Sequence, residues 1–158
     1  MATPRLHPDL EPLGFLLGSW SGAGFGRYPT IDSFRYEETV TFTHVGKPFL
    51  VYSQETRHAE DGRLLHGETG FWRLPRPGRV ELVVAHPNGI VEVSEGELEG
   101  QAIEVRSIVV ARTTTAKEVS AVERRLVVEG SVLRSSLEMA AVGRTLQNHL
   151  TAELVRNS

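Results

Sequence analysis

The chain has 158 residues, 40% hydrophobic and 23% charged, which suits one sizeable core and excludes a disordered or membrane-embedded polymer. Lysine and arginine number 17 against 20 acidic residues, a net charge of −3 with no basic run, so neither nucleic acid nor a membrane is an expected partner. Cysteine is absent, which excludes disulfides, thiolate metal sites and a cysteine nucleophile and fits a reducing cytoplasm.

The N-terminal stretch MATPRLHPDLEPLGFLLG lacks a charged start followed by a long apolar run. Residues 13–17 are too short for a signal segment, so no export is expected. A short helix or turn is predicted over residues 8–17, with Asp9 as its N-cap. The next stretch, GSWSGAGFGRYPTI, places Gly18, Gly22, Gly24 and Gly26 around Trp20. A dinucleotide fingerprint needs G-x-G-x-x-G opening a helix; here the spacing is G-x-G-x-G and Pro29 follows, so that reading fails.

Strand patterns fill the rest. In SFRYEETVTFT, Phe34, Tyr36, Val40 and Phe42 share one face and only Glu38 is out of place. Further strands are read at residues 49–57, 68–74, 79–86, 89–100, 101–111, 116–128, 131–142 and 149–156. Turn signals separate them at Asp61-Gly62, Pro77-Gly78, Asn88-Gly89 and Glu129-Gly130. About nine or ten strands at ~8–12-residue spacing predict a single antiparallel all-β domain over residues 1–158, either a closed barrel or a sandwich. In a barrel, Trp20 plugs one end and the glycines allow close backbone approach; in a sandwich they bend the first strand.

Six histidines occur without metal-pair spacing, and no G-x-S-x-G elbow is present. Glu37, Glu38 and the EVSEGELE run read as solvated strand faces. His149 opens the last strand and reads either as a solvated strand-end histidine or as a single axial ligand to haem iron. Met139 shares a face with Leu133, Leu137 and Ala141 and reads as core filler or as a cavity wall.

Taken together, several stretches resemble the nitrobindin family over nearly the whole chain. They are Gly18-Ser19-Trp20-Ser21-Gly22-Ala23-Gly24, YPTI with FRYEE, GKPFLVY, LHGETGFWR, NGIVEVSEG and the closing LQNHLTAEL. The resemblance implies a ten-stranded antiparallel β-barrel similar to fatty-acid-binding proteins and lipocalins, holding one ferric haem b per subunit at its mouth. It also implies nitric oxide binding and isomerisation of peroxynitrite to nitrate, and leaves a homodimer open. Carried over by position, His149 is the catalytic residue and axial iron ligand. Thr30 and Lys117 contact the haem, Lys117 through a propionate; Leu65 and His66 lie on the opposite side, and Met139 lies near the proximal side. Some relatives carry methionine where Leu65 stands. The competing function is a lipocalin-like module that carries a small apolar ligand without catalysis. Alternation also sets a condition: His149 falls opposite Leu150, Ala152 and Leu154, so it can point inward only if a bulge intervenes or the outer face of its strand is covered.

Overall fold

Period-two alternation runs through the computed structural model, which describes residues 2–158. Its ten strands are β1 (Gly18–Tyr28), β2 (Ile31–His44), β3 (Leu50–His58), β4 (Leu64–Arg76), β5 (Arg79–His86), β6 (Ile90–Glu99), β7 (Ala102–Arg112), β8 (Val119–Glu129), β9 (Val132–Ala141) and β10 (Gln147–Arg156). Each pairs antiparallel with its sequence neighbours, and β1 pairs with β10, from Trp20↔Arg156 to Gly26↔Leu150, to close a barrel. Closure leaves no free sheet edge and sets the sandwich aside. The turns fall at the expected glycines; Gly78, for example, takes φ +77°, a conformation that side chains resist.

The glycines of β1 let it pack tightly. A Cβ on Gly24 would lie 2.2 Å from the Tyr36 ring, so only glycine lets that ring cross the strand. Trp20 is fully buried at the opposite end of β1 from Tyr28. Its indole N–H donates to the Leu16 carbonyl at 2.9 Å, and the Arg156 guanidinium stacks 4.1 Å from its ring centroid. Arg156 also donates to the carbonyls of Phe15 and Leu17, tying the end of the chain to the plug.

The plug is a 3-10 helix, Pro8–Leu16. Leu10, Leu13 and Leu16 recur every third residue, the repeat of a 3-10 turn, and all three are fully buried. Its N-cap is His7 rather than Asp9. Pro8 occupies the first helical position, which moves the cap back one residue, and His7 Nδ1 accepts from the Asp9 backbone N–H at 3.2 Å. The apolar core therefore fills this end, with Phe42, Leu50, Trp72, Leu82 and Leu154 beneath the helix-capped floor. The other end is the mouth, where β1, β3, β5, β7 and β9 finish and the even-numbered strands begin.

Candidate functional site

From the mouth a cavity of about 940 Å³ runs into the barrel, near the upper end of the ~300–1,000 Å³ common for ligand sites. Thr30, Leu65, His66, Lys117, Met139 and His149 all line it, although they span most of the chain. Thr30 is exposed in the β1–β2 turn, and Lys117 is exposed in the β7–β8 connection. Leu65 and His66 stand at the mouth end of β4, Met139 on β9 and His149 on β10. From β10 to β4 is four strands round the barrel through β1 and six through β9, so His149 and His66 rise from facing walls.

His149 turns inward because β10 bulges. Asn148 pairs with Glu138 and Leu150 with Leu137, leaving His149 as the extra residue. His149 and Leu150 thus both line the cavity, and the buried set resumes at Ala152 and Leu154. The bulge meets the condition that alternation set. The Arg27 carbonyl lies 2.9 Å from His149 Nδ1. A carbonyl only accepts, so Nδ1 carries the proton and Nε2 keeps its lone pair. Burial pushes the His149 imidazole below its ordinary pKa, against the opposing pull of that carbonyl. The neutral form therefore dominates at neutral pH. The Tyr28 ring packs edge-on at 5.5 Å, and its hydroxyl accepts from the buried Ala141 N–H at 2.8 Å on β9, so the tyrosine bridges past β10 and braces the imidazole.

Below the mouth lies a belt of buried charge. Arg124 donates to both Glu68 oxygens, at 2.7 and 2.9 Å, and to both Glu92 oxygens, at 3.2 and 2.6 Å. Tyr52 donates to Glu68 at 2.8 Å and Ser94 to Glu92 at 3.0 Å. Burial alone would raise the Glu92 carboxyl, but Arg124 and His86 outweigh it and hold the pKa at about 2. Glu68 is likewise drawn down by Arg124 against its burial. His86 Nε2 lies 3.0 Å from Glu92, and its Nδ1 lies 3.0 Å from His66 Nε2 and 3.4 Å from Glu68. Burial lowers the His66 pKa, with Glu68 opposing and His86, Arg124 and His149 adding to the fall. Glu38, hydrogen-bonded to Gln54 at 2.8 Å, is pushed up to about 7 by burial.

Two sequence readings are thereby corrected. Glu38 is not out of place in β2: it faces inward with Tyr36 and Val40 and is 8% exposed. Glu92 is fully buried, so the EVSEGELE run is not uniformly a solvated face. Glu92 alternates inward between Ile90 and Ser94, and a guanidinium from β8 makes that position tenable. The sequence reading missed Tyr28, Glu68, His86, Glu92 and Arg124 as site residues. The one signal for Glu68, His86 and Arg124 is their parity, in phase with the buried apolar residues of their own strands; Glu92 shares parity with Ile90 but not with Val91 and Val93.

Residues 9–156 match the family model for the THAP4-like, heme-binding beta-barrel domain. The chain is 54% identical over 155 residues to "Peroxynitrite isomerase 2" of Mycobacterium avium (strain 104), covering 96% of each. It is 50% identical to "Peroxynitrite isomerase" of Nocardia farcinica (strain IFM 10152), covering 96% of this chain and 93% of that one. Among solved structures, the crystal structure of Rv2717c from M. tuberculosis matches with a TM-score of 0.92 and 49% identity, over 98% of this chain and all of that one.

Proposed function

We propose, from the premise that this chain belongs to the THAP4-like, heme-binding beta-barrel domain family, that it is a haem-dependent peroxynitrite isomerase. The observation that carries the reading is the His149 tautomer. With Nδ1–H committed to the Arg27 carbonyl, the bare Nε2 in the cavity wall is the form an iron ligand requires. The residues present therefore fit a haem. His149 would hold the iron, Lys117 at the rim would meet a propionate while staying hydrated, and Thr30, Leu65 and Met139 would flank the ring. We take the haem as b type and ferric, one per chain, with residues 1–158 acting as one domain.

When bound, the haem supplies a Lewis-acid iron that polarises the peroxo bond of peroxynitrite. The chain supplies the setting. His149 anchors from one wall, braced by Tyr28 and Arg27. Leu65 narrows the opposite wall, and His66 is an ionisable group beside it. Nitric oxide, a neutral ligand, needs no donor to bind. Isomerisation to nitrate exchanges no net electrons, so no reductase is required. The carrier reading is weaker: the Arg124 charge is already matched by Glu68 and Glu92, so this guanidinium is not a free counter-charge for a fatty-acid carboxylate.

Product analysis tests the activity. Haem-loaded protein mixed with peroxynitrite should raise the nitrate-to-nitrite ratio above that of buffer and of haem-free protein. Equal ratios in all three would refute the isomerase reading.

A further inference from the structure

A neutral imidazole meets a ligand as donor at one nitrogen and acceptor at the other, so the His66 tautomer decides what the cavity offers. The chain behind it fixes that choice. Glu92, paired with Arg124 and fully buried, is a carboxylate and can only accept, so His86 Nε2 carries the proton in their 3.0 Å contact. Where His86 carries that one ring proton, its Nδ1 keeps a lone pair, and the 3.0 Å contact from there to His66 needs one proton. That proton belongs to His66 Nε2, and Nδ1 of His66 is left bare.

We propose that Glu92 and His86 are positioning residues that fix His66 as its Nε2–H tautomer, so that it presents an acceptor, not a donor, to whatever occupies the cavity. The consequence for catalysis rests on the isomerase reading. Peroxynitrous acid entering the cavity could pass its O–H proton to His66 Nδ1. The Nε2 proton would move to His86 Nδ1, where Glu68 Oε2 lies 3.4 Å away. One O–H bond breaks, one N–H bond forms at His66 and a second proton shifts between the rings, with no change in electrons. The charged groups facing the two rings are Glu68 from β4, Glu92 from β6 and Arg124 from β8, with His149 facing from β10.

His66, Glu68 and His86 also present ligand atoms within 4.8 Å of one another, a spacing a divalent cation could use. Arg124 argues against that use, since it occupies both Glu68 oxygens and would repel a dication.

Long-range proton–nitrogen correlation spectra of the full chain with labelled histidine read the tautomer directly, without haem. The wild type should show His66 protonated at Nε2 and bare at Nδ1. His86→Leu should shift the tautomer ratio by about tenfold, the effect of removing one hydrogen bond. His86→Asn should restore it, because the amide oxygen stands where Nδ1 was. His66 protonated at Nδ1 in the wild type, or an unchanged ratio in His86→Leu, would overturn the proposal. Should His86→Leu fail to fold, His86→Asn and Glu92→Gln decide, with the ratio kept in the first and shifted in the second. One equivalent of Zn2+ that abolishes the Nε2–H signal would also overturn it, in favour of a metal site. Hemin titration of the same samples keeps the two ideas apart: no Soret band refutes the haem reading and leaves the tautomer result standing.

Discussion

His149 is held by an extra residue in β10, by a carbonyl and by a tyrosine edge, and each fixes a different property of the ring. The bulge sets its face, Arg27 its proton and Tyr28 its tilt. His149→Ala should weaken hemin binding at least about tenfold, the loss expected from removing a metal ligand or its support. Visible absorption during a hemin titration measures it, and unchanged affinity would contradict the assignment. Arg124 makes the opposite kind of contribution, to folding. Arg124→Met leaves Glu68 and Glu92 buried without a counter-charge, and should cost about 3–5 kcal/mol by urea unfolding at neutral pH. Much of that cost should vanish in the triple variant that also carries Glu68→Gln and Glu92→Gln. A persistent full loss there would show that Arg124 acts through packing instead.

The strands were legible because most bury alternate residues and most of the joints between them carry a turn glycine, two local signals that agree. The bulge in β10 was legible as a condition, since the parity of His149 conflicts with that of Leu150, Ala152 and Leu154. The charge belt was not legible. Arg124 meets Glu68 across 56 residues and Glu92 across 32, and no local pattern links partners so far apart. A charged residue on an apolar parity looks like an error until its partner is placed. The helical plug is a prediction at this scale. Trp20 is fully buried, hydrogen-bonded to Leu16 and stacked on Arg156, so Trp20→Ala should cost roughly 3–5 kcal/mol. The loss should appear as a lower urea midpoint, and a change under about 1 kcal/mol, typical of a surface site, would contradict the plug.

For the whole molecule, two buried carboxyls pull the pH dependence of stability in opposite directions. The folded Glu92 value of about 2 lies below its ordinary 4.5, so its contribution is present above pH 4.5 and is lost as pH falls toward 2. Glu38 is raised to about 7, so the folded state favours its protonated form. Its contribution is complete below pH 4.5 and is lost as pH rises through about 7, by at most roughly 3 kcal/mol. Glu38→Gln keeps the hydrogen bond from Gln54 and should flatten the decline between pH 4.5 and 7 in urea unfolding. An unchanged profile would remove Glu38 from the account.

All of these features converge on the cavity in which we propose that His149 holds a haem iron. The most direct test is stopped-flow decay of peroxynitrite with ferric haem-loaded protein, haem-free protein and His149→Ala mixed with hemin. Decay should accelerate in proportion to the concentration of the loaded wild type, while the other two stay near the spontaneous rate. Equal rates in all three samples would contradict the claim that this barrel, through His149, is a haem-dependent peroxynitrite isomerase.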